Sequence, residues 1–562
     1  MIVASCNDPE ARPPTRLSPL RALASTFPEA GTAPVDASAG ARPRGALTVG
    51  IVIDQLAAWV VEERLSELPT DGGFARLARE GARVRRMEYA HAVTDTAPGH
   101  ASLYTGRTPR ESGIFGNEIF DEADKRVSIL RDPKVTVVTS KGETTRPGSS
   151  PHVLLVPTVS EEFLGRTPDA RLLSISWKDR GAILPAGHVK DRATVLWFDA
   201  GEDAFVTSTA FANELPAFVR DELAAHPASK FREAPWTPLD PAWVTAHAKT
   251  GDDAPGEGNL EGLGTQFPHL ATSAKAMRAT PASDTMLLSL AKSGLDALVK
   301  KEGPILLLLS LSANDYIGHV FGPDSHEAWD ELRRLDRALG EFFGVLDQRF
   351  GVDGWGAVLS ADHGTVPSPE ALEGRKMICK PQDSFERPCE GTRMLPDAIG
   401  ERLRKAEPAV VGICDPWVFL RDDVVKDPKK LRAVEKKVEA LLAKEPGVAR
   451  TYTSTVLASR CSAPAKTDDE LFTRVCASWS AHAGAIYVVA RPGAFFDPLQ
   501  VVGKGVSHGS PYRYDRTVPL FVRRPGKVRE GLLVDETLPF TAFRASLEGL
   551  LGLGEVPTWS RK

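Results

Sequence analysis

The chain is poor in cysteine, has no basic run and contains no apolar stretch able to cross a bilayer. Each shortage removes a class of function. Its six cysteines are few for 562 residues, and no close pair has a metal-ligand spacing such as C-x-x-C. Without lysine- or arginine-rich runs, and with a formal net charge of −5, nothing suits duplex nucleic acid or another polyanion. The best spanning candidates are "ALTVGIVIDQLAAWVV" (46–61) and "PILLLLSLSA" (304–313). Asp54 and Gln55 interrupt the first, and the second is too short. Both have the character of buried parallel strands.

What remains is ordinary soluble-protein composition, 42% apolar and 25% charged, on a chain long enough for two or three domains. Residues 1–45, rich in Ala, Pro, Ser and Arg, read as a flexible lead-in. Within them "VASC" (3–6) has the small-residue pattern that precedes a lipidated cysteine, which makes Cys6 a candidate membrane anchor. The charged and apolar parts of a signal peptide are missing, so either the true start lies upstream of Met1 or the match is chance. Five cysteines fall between Cys379 and Cys476. Cys379/Cys389 and Cys461/Cys476 each bracket a short polar loop suited to a disulfide in an oxidising compartment, with Cys414 left over; unpaired cytosolic thiols are the alternative.

Apolar runs at 46–54, 171–177, 304–312, 355–362 and 517–524 read as strands, and 282–301 and 328–350 as intervening amphipathic helices. That alternation predicts an α/β fold, a mostly parallel central sheet with helices on both faces. The catalytic domain is expected to comprise 46–369 and 501–562, with 195–275 as an irregular covering insertion. Residues 370–500 carry the cysteines and a strand–helix–strand pattern, and are expected to form a small α+β auxiliary domain.

The chemistry lies at the strand ends. The first strand ends at Asp54; "LSANDYIGHVFG" supplies Asp315 and His319, four apart and so on one helical face. "LSADHGTVPS" supplies Asp362 and His363 at a turn, and "GVSHGSPYRYD" places His508 in a loop before the last strand. Each residue alone has a dull reading as a cap, a core histidine or a loop residue. Three Asp and three His together at the carboxyl ends of strands are what two neighbouring Zn²⁺ ions need. Near them stands "AVTDTAPGHASLYTG" (92–106), whose local reading is only a loop entering a helix.

Taken with "VIDQ", "TAPGHASLYTGRTPRESGIFGNEIFD", "SWKDRGAI", "DYIGHVFGPDS", "SADHG" and "SHGSPYRYD", from about residue 46 to 550, the chain resembles the alkaline phosphatase superfamily. Within it the likeness is to the threonine-nucleophile, phosphate-irrepressible bacterial alkaline phosphatases, near the nucleotide pyrophosphatase/phosphodiesterases. The resemblance implies that Thr96 is the nucleophile, that Thr94 is structural and that His100 supports the turn. It implies one zinc held by Asp54, Asp362, His363 and the Thr96 oxygen, and a second held by Asp315, His319 and His508. Asn117, Lys178 and Arg180 match the phosphoryl-binding residues of the monoesterase branch, where a fork and a point charge meet a dianion. The sulfatase branch is disfavoured, since no C/S-x-P-x-R motif occurs at Thr96. The expected activity is therefore hydrolysis of small-molecule phosphate monoesters through a phosphothreonine intermediate, in the periplasm or outside the cell. A phosphodiesterase or nucleotide pyrophosphatase using the same metals is the alternative.

Overall fold

The computed structural model describes residues 46–373, 388, 390–461 and 469–561. Cys6 and the Cys379/Cys389 pair lie outside them. Five strands form the parallel heart of a 12-stranded sheet: β1 (Leu47–Ile53), β2 (Arg171–Ser176), β3 (Ala193–Asp199), β4 (Ile305–Leu311) and β5 (Trp355–Ser360). Their order is β5-β1-β4-β2-β3, all parallel. Every residue of β1, β4 and β5 is buried, which is why these segments read as continuous apolar runs rather than alternating ones. The last expected strand, β6 (Thr517–Arg523), joins β5 antiparallel.

Register places the chemistry. Ile53 pairs with Leu311, Val52 with Ser360 and Ser310 with Ser176, so the strands end together along one edge of the sheet. The next residues along each chain are Asp54, Ser312, Ala361–Asp362 and Trp177–Lys178. Three helices rise from this edge: α1 (Thr96–Thr105), α2 (Asp179–Ala186) and α3 (Ala313–Phe321).

The stretch 195–275 departs from its expected irregularity. β3 and a further strand, Ala204–Ser208, extend the main sheet, and only the residues beyond Ser208 form a cover of short helices and loops. The aromatic and β-branched alternation of "TVLWFD" and "AFVTS" is the strand signal there. Between Pro396 and Ala490 lies a four-stranded antiparallel sheet in the order 410–414, 417–420, 486–490, 448–453, with helices Pro396–Ala406 and Pro428–Leu442. It has its own small apolar cluster around Ile399, Val438 and Ile486. Cys461 and Cys476 are joined as a disulfide beside it, and Cys414 is buried and free. Among the described residues no helix is long and apolar enough to cross a membrane.

Candidate active site

Thr96 is the first residue of α1, with Asp95 at the N-cap. The Pro-Gly-His that follows it has a packing reason. Pro98 falls in the first turn, where a missing N–H costs nothing. At Gly99 a Cβ would strike the carbonyl of Asp362, so the helix approaches the end of β5 only because the residue is glycine. His100, one turn on, accepts or donates at three places: its Nδ1 lies 2.9 Å from the Thr96 carbonyl and 3.2 Å from Asp362 Oδ2, and its Nε2 lies 2.9 Å from Ser310 Oγ. It supports the turn and also steadies Asp362.

The six expected Asp and His residues converge. Asp315 Oδ1 lies 3.1 Å from His319 Nε2 and 3.6 Å from His508 Nε2. His363 Nε2 lies 3.3 Å from Asp54 Oδ1 and 3.6 Å from Asp362 Oδ2. The His363 and His508 rings stack with centroids 3.5 Å apart, which brings the two clusters side by side. Two cation-sized groupings result, Asp315/His319/His508 and Asp54/Asp315/His363, all buried.

The donor chemistry fits metal ions. All three imidazoles donate Nδ1–H to main-chain carbonyls: His319 to Val506 (2.7 Å), His363 to Gly364 (3.0 Å) and His508 to Thr94 (2.8 Å). That leaves each Nε2 turned toward the carboxylates, the tautomer a metal requires. His363 Nε2 and both Asp54 oxygens are buried, and what reaches the Asp54 oxygens is charged contact from Lys178 Nζ and His363 Nε2. Asp362 is held by its Oδ1, which accepts from Gln55 N (3.2 Å) and His363 N (3.0 Å).

Lys178, at the N-cap of α2, reaches into the same centre. Its Nζ lies 2.5 Å from both Asp54 Oδ2 and Asp315 Oδ2 and donates to Thr96 Oγ1 at 3.2 Å. Burial would lower this ammonium, yet Asp315 and Asp54 outweigh it and keep Lys178 charged. Burial likewise pushes Asp315 up, but His319 and Lys178 hold it well below the usual carboxylate range. Asp362 is shifted down against burial by His363 and His100. His508 is lifted well above an ordinary imidazole, because bonds to Asp315 and Asp95 overcome burial. A cation bound here takes the place of those imidazole protons.

Asn117 and Arg180 stand at the mouth. They line a cavity of about 210 Å³ with His319 and His508. Asn117 Oδ1 accepts from Ala97 N (2.8 Å), so its Nδ2 is the donor it can offer the cavity. Arg180 adjoins Asp179, whose Oδ1 accepts from the Arg180 main-chain N (2.8 Å) and lies 3.7 Å from its guanidinium. Asp179 Oδ2 accepts from the hydroxyls of Ser128 and Ser149, 3.0 Å each, while Arg180 Nε is buried and unbonded. All ten expected site residues therefore lie in or around one centre.

The model of the type I phosphodiesterase/nucleotide pyrophosphatase family matches residues 48–498. The chain belongs to that family, within the alkaline phosphatase superfamily. It is 30% identical to alkaline phosphatase PafA of Elizabethkingia meningoseptica over 85% of this chain and 86% of that protein. It is 36% identical to alkaline phosphatase PhoV of Synechococcus elongatus, over 62% of this chain and 64% of the relative, so that match spans under two thirds of PhoV. The crystal structure of wild-type PafA superposes with a TM-score of 0.78 at 26% identity, covering 93% of this chain and all of that one. The chain is thus a phosphoryl hydrolase of the alkaline phosphatase type.

For this family member, sequence reasoning missed the outer wall of the cavity. Asp95, Glu118 and Arg126 line it from the main body; Pro396, Ile413, Asp415 and Phe496 to Gln500 come from far along the chain. No local motif marks those positions, because only the folded path of the 396–500 segment brings them over α1. Gln55, beside Asp54 in "VIDQ", was likewise given no role; a donor next to a strand-end aspartate was the available signal.

Proposed function

We propose that the enzyme is a two-zinc phosphate monoesterase that works through a phosphothreonine intermediate on Thr96. The observation that carries this reading is Thr96 at the start of α1, its Oγ1 3.2 Å from Lys178 Nζ, the same ammonium that contacts Asp54 and Asp315 of the Asp/His groupings. Asp54, Asp362, His363 and the Thr96 oxygen would hold one ion, and Asp315, His319 and His508 the other. When bound, such ions supply Lewis acidity that offsets charge on the attacking and leaving oxygens.

The protein's own groups account for the rest. The Lys178 ammonium beside Oγ1 favours loss of the Thr96 proton to solvent. Oγ1 then attacks phosphorus, the P–O bond to the alcohol breaks, and the departing alkoxide takes up a proton. Water attacks the same phosphorus in the second half, the P–Oγ1 bond breaks, and Thr96 regains its proton. The dipole at the start of α1 favours the phosphoryl anion, while Ala97 N in that first turn is used to hold Asn117. Asn117 Nδ2 and the Arg180 guanidinium supply further donors, and Lys178 with Arg180 suits a dianion better than a diester's monoanion. The Cys461–Cys476 disulfide supports a periplasmic or secreted location. A diesterase reading with the same residues is the alternative.

The test is release of the phenol from one aryl monoester and one aryl diester by metal-analysed protein. We expect a strong monoester preference, roughly two ions per chain, inactivation by a chelator and recovery with Zn²⁺. A diester preference promotes the alternative. One ion per chain, or activity surviving exhaustive chelation, overturns the two-metal reading.

A further inference from the structure

Gln55 follows Asp54 at the end of β1 and is 2% exposed. Its φ of 66° lies in the left-handed region, which residues with a Cβ avoid. Among the described residues the other non-glycine positions with positive φ are exposed or half-buried; Gln55 alone is buried. Strain of this kind persists only where surrounding contacts impose it.

Those contacts are specific. The Gln55 main-chain N donates to Asp362 Oδ1 at 3.2 Å, and its side-chain Nε2 donates to Asp315 Oδ1 at 2.8 Å. One residue thus grips two of the carboxylates that the two-metal reading assigns to different ions. Asp315 Oδ1 is the same atom that lies near His319 Nε2 and His508 Nε2. Room for the amide comes from Gly318, between Asp315 and His319, where a Cβ would strike Gln55 Oε1.

We infer that Gln55 is a positioning residue, which locks the rotation of the Asp315 carboxylate so that Oδ1 serves the His319–His508 cation site. The inference rests on the two-metal reading above. A carboxylate free to turn presents either oxygen; an amide donor on Oδ1 removes that freedom, and the left-handed backbone aims the donor. Loss of such an outer partner typically weakens metal affinity by about 10- to 100-fold.

The experiment compares wild type, Gln55→Ala and Gln55→Gly by Zn²⁺ competition against a chromophoric chelator and by melting of the apo proteins. Wild type should bind two ions. Both variants should keep the first and bind the second about 10- to 100-fold more weakly. Apo Gln55→Gly should melt above apo Gln55→Ala, since both lack the amide but only glycine adopts this φ without strain. Wild-type affinity in both variants overturns the inference. So does a weakening confined to Gln55→Ala, which would assign the effect to the backbone alone. A wild type that binds one ion defeats the parent reading instead.

Discussion

Two sets of buried carboxylates behave in opposite ways. At the strand ends, Asp315 and Asp362 are held below the usual range although both are fully buried. In the covering stretch, Glu257 is pushed up to about 9 by burial and by the neighbouring Glu327. Burial has the same sign in both places; what differs is the company. Lysine and imidazole groups surround the first set, whereas Glu257 has Oε1 unbonded and only the main-chain N–H groups of Ala254 and Asp253 beside it, with no cation. In this pair of regions the buried carboxylates kept ionised by positive neighbours are those at the strand ends, and the one in the cover takes a proton.

Changes at the strand ends should therefore cost activity far more than stability. Thr96→Ala should have the largest effect, a loss of turnover of about three orders of magnitude or more, because no other group can form the covalent intermediate. Thr96→Ser should keep substantial activity, since it lacks only a methyl group. Near wild-type rates in Thr96→Ala would show that the nucleophile lies elsewhere. The double change Lys178→Ala with Arg180→Ala comes next. Each charge-assisted contact is worth roughly 1.5–3 kcal/mol, so monoester kcat/KM should fall by about two orders of magnitude or more, allowing for non-additivity. Diester kcat/KM should change little or rise. Equal losses on both substrates would reduce the pair to a structural role.

The sequence made this half of the comparison legible because its ligands stand at the ends of apolar strands, and register then brings those ends together. Asp54, Asp315 and Asp362 were visible as interruptions of hydrophobic text. The covering half left no such trace. Strands 193–199 and 204–208 sit inside a stretch whose Pro- and Gly-rich text dominates its composition. The positive φ of Gln55 leaves no mark on a chain that has glutamine there instead of glycine. Asp415 and Phe496 share a cavity with Asn117 across about 300 and 380 residues of chain, a distance that only tertiary structure closes.

Glu257 sharpens the other side. Between pH 4.5 and about 9 the folded carboxyl binds a proton that the unfolded one has released. Stability should then fall as pH rises through that window, by up to about 1.4 kcal/mol per pH unit from this group. Glu257→Gln removes the slope, so its melting temperature should gain on wild type steadily from pH 5 to 9 with turnover unchanged. A constant difference across that range would mean that Glu257 is ionised in the fold, as the site carboxylates are.

The smallest effect belongs to a third region, the cavity wall supplied by the 396–500 segment. Leu499, half-buried, lines the cavity from that segment and touches no site ligand among the contacts described. If the outer wall only receives the leaving group, trimming it removes part of an apolar contact and nothing from the phosphoryl chemistry. Leu499→Ala should lower kcat/KM for a bulky aryl monoester by about threefold, well under the tenfold or more that a fully enclosed apolar pocket yields per methylene. A small alkyl phosphate, which does not reach that wall, should be hydrolysed as before. Equal losses on both would place Leu499 in the support of the site. A loss of tenfold or more confined to the aryl substrate would make the 396–500 segment a specificity element in its own right, and the comparison between a reactive strand edge and a passive cover would need it as a third, active member.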